Sequence, residues 1–248
     1  MDVVREQYFD FGIMGDEFGF VLDGFWETLQ LSLVSGALAL IWGLVLALMR
    51  QLPGKRFAPV RGLAIAYIDV FRGIPLLLVV LMISGSAPFV AEGLGLPRSV
   101  GIPQWFGKTD PFWYGTMALT ITYGAYMAEV YRAGIEGVPR GQMEAARALG
   151  MSHSRAMRHV IVPQAVRRVV PPLLNDYIAL MKDTSLVGVI ALLEVVEAGR
   201  TVQAETLNSS ALTLGALMFL VVTIPLARIV DRYIAREQGR FQRGLATT

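Results

Sequence analysis

The sequence predicts an all-α integral membrane protein with five transmembrane helices. Of its 248 residues, 54% are hydrophobic and only 17% are charged, and the mean hydropathy is +0.52; soluble domains usually carry about 25% charged residues. Several windows of about 20 residues hold little or no charge, which is the length that a helix needs to cross a hydrocarbon core ~30 Å thick. These windows lack the apolar–polar alternation of membrane β-strands, so helices are favoured.

Residues 1–23 are predicted to form an extracytoplasmic N-terminal segment. They contain six acidic residues and one basic residue, Arg5, and no apolar stretch, so they do not resemble a cleavable signal peptide. Five aromatic residues suit a short helix lying on the membrane surface. A partly ordered acidic tail is the alternative, and the sequence leaves both open.

The membrane domain is predicted to cover residues 24–237. Its five spans lie near residues 25–49, 63–89, 112–132, 166–181 and 212–233. In the first span, Gly36 and Gly43 are seven residues apart on one face, which would let a neighbouring helix approach closely. The fourth span has Pro171 and Pro172 in its first turns and polar residues near its middle, and such a segment is tolerated only inside a bundle.

The distribution of basic residues predicts the orientation. Four Lys or Arg residues lie within residues 50–61, six within 140–168 and four within 232–243. Because basic residues collect on the cytoplasmic side, these segments and the tail 238–248 should be cytoplasmic. The N-terminus and the loop 91–110 then lie outside, which requires an odd number of spans. We find no internal repeat, which argues against the inverted-repeat carriers.

Residues 144–163 form a polar, basic island in this apolar chain. Pro139 suits the first turn of a helix, and Gly150 suits the left-handed position just beyond a helix end. Ser152 can cap a second short helix that stops before Pro163. The sequence therefore predicts two short helices bent at Gly150.

The island resembles the EAA loop of ABC importer permeases, which docks into a cytoplasmic ATPase in that family. The resemblance rests on E-A-A-R-A-L-G at 144–150 and V-I-V-P at 160–163, within a coupling loop of about residues 137–165. The bend would present Ala145 and Ala146 as a small knob for a cleft on the partner. The alternative is an ordinary basic cytoplasmic loop. The resemblance implies these ATPase-coupling residues: Glu144, Ala145, Ala146, Gly150, Met151 and Pro163.

Three further stretches resemble the polar amino-acid branch of these permeases: F-R-G-I-P-L-L at 71–77, A-Y-M-A-E-V-Y-R at 125–132 followed by P-R-G-Q at 139–142, and K-D-T-S-L at 182–186. The resemblance implies a permease subunit in the bacterial cytoplasmic (inner) membrane that translocates a polar amino acid. Its implied partners are a cytoplasmic ATPase dimer, a second permease copy or a paralogue, an extracytoplasmic substrate-binding protein, and membrane lipid.

The same resemblance implies that this chain is not an enzyme, since ATP and Mg²⁺ would be bound by the partner ATPase. Gly107-Lys108-Thr109 is similar to the end of a phosphate-binding loop, but residue 102, where the first glycine is required, is Ile. His153 and His159 are six residues apart, which is poor spacing for a metal site. The basic residues of the tail are expected to set the membrane topology and not to form a nucleic-acid-binding surface. A stand-alone ion-coupled carrier or channel remains the alternative function.

Charged residues inside the predicted spans are candidates for the substrate path, because a charge at a helix centre costs at least ~2.5 kcal/mol on insertion scales. Asp176 and its neighbour Asn175 in the fourth span are candidates, and the Asp176 carboxylate could accept the ammonium group of an amino acid. A structural acid hydrogen-bonded to a neighbouring helix is the alternative. Lys182, near the outer end of this span, is a further candidate.

Two pairs of opposite charge are spaced to meet on one helical face. Arg72 is a candidate for the substrate path, but Asp69 lies three residues before it, so the two could simply satisfy each other. Glu129 and Arg132 repeat this spacing at the inner end of the third span, where we expect an ion pair.

Overall fold

The computed structural model describes residues 2–95 and 107–246, and these residues form helices joined by short connections. Most of the loop predicted at 91–110 therefore lies outside the described residues. The α-helices are α1 (Asp2–Tyr8), α2 (Phe11–Asp16), α3 (Phe18–Arg50), α4 (Ala58–Gly73), α5 (Leu76–Gly93), α6 (Asp110–Glu136), α7 (Arg140–Ala148), α8 (His153–Ala156), α9 (Val162–Asp183), α10 (Val195–Thr206) and α11 (Ser210–Ala246).

Within the described ranges, three stretches are long and apolar enough to cross a membrane: Phe18–Arg50, Leu76–Gly93 and Ser210–Arg236. Two further long helices, α6 and α9, carry more polar residues. The all-helical class is confirmed.

Helix α6 lies at the centre of the bundle, with α3, α4, α5 and α9 packed around it. The main core cluster joins Leu31 of α3, Val80 of α5, Leu119 and Met127 of α6, and Leu180 of α9, and these side chains are buried. The main apolar core of the bundle is therefore built around one enclosed helix.

Gly36 and Gly43 of α3 make the close contacts that their spacing predicts. A Cβ added at Gly36 would lie 2.8 Å from the ring of Tyr177 in α9. A Cβ added at Gly43 would lie 2.9 Å from the carbonyl oxygen of Gly124 in α6, and 2.9 Å from the Cβ of Met127. Only a residue without a side chain lets the two backbones come this close.

The prediction of one continuous helix over residues 63–89 is wrong. The chain breaks between α4 and α5, where Ile74 has an extended conformation (φ −91°, ψ 131°) and Pro75 precedes the first residue of α5. Proline lacks the N–H that would continue the helix, and it disfavours helical geometry at the residue before it. The apolar run continues through the break, which is why hydropathy alone did not reveal it.

The N-terminal segment contains two short helices, α1 and α2, so the partly ordered tail does not describe it. Hydrogen bonds hold it to the corner between α10 and α11: the Ser209 N–H donates to the carbonyl of Gln7 (2.9 Å), and the Asn208 amide donates to the carbonyl of Glu6 (2.8 Å). Helix α3 begins at Phe18, so its first turns lie within the predicted N-terminal segment.

The last two long helices also extend beyond their predicted bounds. Helix α9 covers 22 residues, and Pro171 and Pro172 lie inside it. Helix α11 continues to Ala246, so most of the predicted tail 238–248 belongs to this helix.

We expect Gly43→Ala to lower the free energy of unfolding by about 1–3 kcal/mol, because the added methyl group would overpack the contact between α3 and α6. Gly62 in α4 is the matched control, since nothing lies within 4 Å of a Cβ added there. Gly62→Ala should leave stability unchanged or raise it by up to about 1 kcal/mol. Thermal unfolding in detergent, followed by tryptophan fluorescence, measures both. Equal effects would contradict the proposed close contact.

Candidate functional site

The polar segment between α6 and α9 contains the bend that the sequence predicts at Gly150. Gly150 has a positive φ of 82°. Its N–H donates to the carbonyl of Arg147 (3.0 Å), and the Met151 N–H donates to the carbonyl of Ala146 (3.1 Å). These two bonds form a Schellman motif, which ends a helix where a residue takes the left-handed conformation. A glycine adopts this conformation without steric cost.

The second helix of the segment starts as predicted and ends differently. The Ser152 hydroxyl accepts a hydrogen bond from the Arg155 N–H (3.3 Å) and caps α8. The prediction that this helix stops before Pro163 is wrong, because the chain continues through a π-helical turn at Met157–Ile161 directly into α9. Pro163 is the second residue of α9 and directly follows the π-helical turn.

A small apolar cluster holds the segment to the ends of α6 and α9. Val138, Ile161 and Ala165 are buried in it, and Met143 of α7 packs against them. The Gln164 side-chain amide donates to the Gln142 side-chain oxygen (3.1 Å), which ties α7 to α9. The segment is therefore anchored to both helices.

Helix α7 exposes a different surface from the knob that the sequence predicts. Ala145 and Glu144 are exposed, but Ala146 is only 4% exposed and faces the protein. Leu149, which sequence reasoning missed, is 82% exposed. It lies four residues after Ala145, so the two share one helical face. Helical spacing from Ala145 was the signal that could have identified it.

A cavity of about 450 Å³ lies beside the break between α4 and α5. Helices α6 and α9 complete its wall, and it contains one cationic and two acidic side chains among these lining residues: Arg72, Gly73, Ile74, Pro75, Leu76, Thr122, Tyr123, Tyr126, Asp176, Ala179 and Asp183.

Asp183 and Arg72 each contact an aromatic side chain of α6. The Tyr123 hydroxyl donates to the Asp183 carboxylate (2.8 Å). The Arg72 guanidinium lies 5.7 Å from the centre of the Tyr126 ring, which is within range of a cation–π contact. Asp176 Oδ2 is buried and has no hydrogen-bond partner among the described residues.

The structure brings together two of the four residues predicted for the substrate path. Asp176 and Arg72 line one cavity, whereas Asn175 and Lys182 are exposed and do not line it. Within the described part of the chain, no ion pair joins Asp69 to Arg72, so their mutual satisfaction is not observed. Sequence reasoning missed Tyr123 and Tyr126, whose position beside the cavity depends on how α6 packs.

A chain of charged groups joins the ends of α3 and α6. The predicted pair is confirmed: Arg132 contacts the Glu129 carboxylate at 2.7 Å. Glu129 also pairs with Arg50, the last residue of α3, and Arg132 also pairs with Glu136. Near the other end of α3, Lys108 pairs with Glu27 and lies 5.1 Å from the centre of the Phe112 ring. No group of three or more His, Cys, Asp or Glu side chains that could hold a metal ion occurs in the described ranges.

Most of this chain matches a known protein family. Residues 39–238 match the model of the binding-protein-dependent transport system inner membrane component family. The chain belongs to this family. The matched residues include the segment from α6 to α9, the cavity and most of α11.

Relatives of this transport family share most of the chain. A protein named probable glutamine ABC transporter permease protein GlnM, from Bacillus subtilis (strain 168), is 39% identical over 221 residues, which cover 87% of this chain and 92% of the relative. The glutamate/aspartate import permease protein GltK of Escherichia coli O157:H7 is 34% identical, covering 92% of this chain and 98% of the relative.

A solved structure described as an amino acid ABC transporter with histidines has a similar fold. It superposes with a TM-score of 0.76 at 32% identity, covering 92% of this chain and 98% of that chain. The chain is thus an inner-membrane component with an ABC-permease fold.

We expect Glu129→Gln to lower the free energy of unfolding by about 1.5–3 kcal/mol, since Arg50 and Arg132 would both lose a charged hydrogen-bond partner. The Glu129 side chain is 17% exposed and joins two helices, whereas the Glu136 side chain is 62% exposed and pairs with Arg132 of its own helix. Glu136→Gln, the control, should cost less than about 1 kcal/mol. Chemical or thermal unfolding of the purified variants measures the difference. A Glu129 variant as stable as the control would mean that the link between α3 and α6 is not structural.

Proposed function

We propose that this chain is the permease subunit of an ATP-driven importer that moves a polar amino acid across the cytoplasmic membrane. The observation that carries the proposal is the anchored, exposed segment between α6 and α9, which sits in an ABC-permease fold on helices that also line a charged cavity. The names of the relatives support the amino-acid substrate class.

In this proposal the chain spans the membrane five times, through α3, the broken helix α4–α5, α6, α9 and α11. The polar residues of α6 do not argue against a span, because four neighbouring helices surround it and polar groups are tolerated where protein excludes lipid. The basic residues near the two ends of α7 and at the end of α11 favour a cytoplasmic location for both, with the N-terminus outside.

The segment 137–165 would couple the permease to a partner ATPase. Ala145 and Leu149 would enter a cleft on that partner, and the Schellman motif at Gly150 fixes their position. Because the apolar cluster at Val138 and Ile161 anchors the segment, movement of the ATPase would move the ends of α6 and α9 as a rigid body. The partner ATPase dimer would bind ATP and Mg²⁺, and this chain would perform no covalent chemistry.

The cavity would receive the amino acid on its way through the membrane. Its lining contains the carboxylate of Asp176, which could bind the α-ammonium group, and the cationic guanidinium of Arg72, which could bind the α-carboxylate. An amino acid carries both charges, so the two side chains match it in kind. An extracytoplasmic binding protein would deliver the substrate, and a second copy of this chain or a paralogue would complete the translocation pathway.

We expect Ala145→Glu to lower ATP-dependent uptake at least about tenfold, because an unpaired carboxylate buried in the docking interface would cost several kcal/mol. Co-purification of the ATPase with the tagged chain should fall in parallel. Ala235→Glu, which introduces the same group at an exposed position of α11, should leave both within about twofold. Full uptake by the Ala145 variant would instead favour a stand-alone ion-coupled carrier.

We expect Asp176→Asn to lower the maximal rate of amino-acid uptake by about ten- to a hundredfold, the range that loss of a charged hydrogen bond implies. The substrate concentration for half-maximal uptake should not change, since the binding protein would set it. Asn175→Ala is the control, because Asn175 is exposed outside the cavity. A lower melting temperature that accounts for the lost rate would show that Asp176 is a structural acid.

A further inference from the structure

An apolar groove of about 490 Å³ runs between α3 and α4, on a part of the bundle separate from the charged cavity. On α3, its lining residues follow one helical face. On α4, they cover the side that faces α3. The lining residues are Trp42, Leu46, Met49, Leu63, Ala64, Ala66, Tyr67, Val70 and Phe71.

The far end of the groove is built from hydrogen-bonded aromatic side chains. The Trp42 indole N–H donates to the Tyr67 hydroxyl (2.8 Å), which donates in turn to the carbonyl of Ile121 in α6 (3.0 Å). The Tyr67 ring also packs against Phe71, with ring centroids 4.6 Å apart. The polar atoms of these aromatic residues are satisfied, so they close the groove without requiring a polar ligand.

The near end of the groove lies at the hairpin that joins the two helices. Met49 is the residue before the last of α3, and Leu63 lies in the second turn of α4, so residues 51–57 cross this end. The hairpin has a defined shape, because the Arg61 guanidinium donates to the carbonyls of Leu52 (2.8 Å) and Gly54 (2.7 Å). Arg61 therefore fixes the connection against α4.

The hairpin presents two adjacent cations without acidic partners. Lys55 and Arg56 form a short 3₁₀ turn and are exposed, and no ion pair or hydrogen bond engages either side chain in the described part of the chain. The other two cations nearby are occupied, since Arg50 pairs with Glu129 and Arg61 holds the hairpin. The groove thus combines an open apolar lining with two exposed positive charges on the hairpin beside its near end.

We propose that this groove binds an acyl chain of an anionic phospholipid whose phosphate is held by Lys55 and Arg56. A lipid fits both halves of the site, because its acyl chain suits the apolar lining and its headgroup lies at the membrane surface, where basic residues attract anionic lipids. A free phosphate ion would use only the charged end, and an apolar partner helix would leave the cations unmatched. The proposal concerns this surface alone and does not depend on the transported substrate.

The test is native mass spectrometry of the purified full chain, titrated separately with phosphatidylglycerol and with phosphatidylethanolamine. We expect tighter retention of the anionic lipid. The double variant Lys55→Gln/Arg56→Gln should lower the affinity for phosphatidylglycerol about 25-fold, because each lost charge lowers it about fivefold. The affinity for phosphatidylethanolamine should change little. The control Arg232→Gln/Arg236→Gln removes the same charge from exposed positions on α11, whose main neighbours are α3, α9 and α10, and should have no comparable effect.

A second variant tests the apolar half. Ala66 is exposed and lines the groove, so Ala66→Trp should fill it and reduce retention of both lipids. The charge variant lies on an exposed turn and tests the site even if Ala66→Trp does not fold. Equal retention of the two lipids by the unmodified chain, or unchanged phosphatidylglycerol binding after loss of both charges, would overturn the proposal. Loss of a dimer in Ala66→Trp with lipid retention unchanged would identify the groove as an interface with a second copy.

Discussion

The contact between α3 and α6 at Gly43 is the interaction on which the rest of the bundle depends. Without a side chain at this position, the α3 backbone reaches the Gly124 carbonyl, and α6 becomes enclosed by α3, α4, α5 and α9. Enclosure matters because hydrocarbon cannot hydrogen-bond to polar groups. Thr116, for example, is buried and donates its hydroxyl proton to the Phe112 carbonyl within α6. A long helix that carries buried polar side chains can therefore stand in the middle of an apolar protein.

Enclosure also makes α6 the physical link between the two candidate functional regions. Tyr123, near the middle of α6, contacts Asp183 at the cavity. The last turn of α6 leads directly into the segment that carries Ala145 and Leu149. The ion pair between Arg50 and Glu129 joins this helix to α3 near the same end. Since α9 connects the other side of the segment to Asp176, a displacement of the segment would act on two walls of the cavity at once.

The break at Pro75 gives α4 two separate roles. Because the chain is extended at Ile74, α4 ends there and α5 follows as a separate helix packed on α6. The last turn of α4 places Arg72 at the cavity, whereas its face toward α3 forms the apolar groove with Tyr67 and Val70. The short helix α4 thus places the charged side chain of Arg72 at the cavity and an apolar face on the outside of the bundle.

Features that depend on composition or on adjacent residues were predictable from the amino-acid sequence. Apolar content predicted a helical membrane protein, and Gly150 and Ser152 predicted a bend and a cap, because left-handed geometry and capping involve only the nearest few residues. The extended residue before Pro75 was equally local, but the continuous apolar pattern obscured it.

Contacts between side chains of different helices became visible only in the packed bundle. Ala145 and Ala146 are neighbours in sequence, yet one is exposed and the other buried, because the anchoring cluster sets the rotation of α7. Arg72 contacts Tyr126 and not Asp69, and Asp176 faces the cavity while Asn175 does not, because those outcomes depend on how separate helices pack. Helical spacing places residues on a face, but packing between distant segments selects what that face contacts.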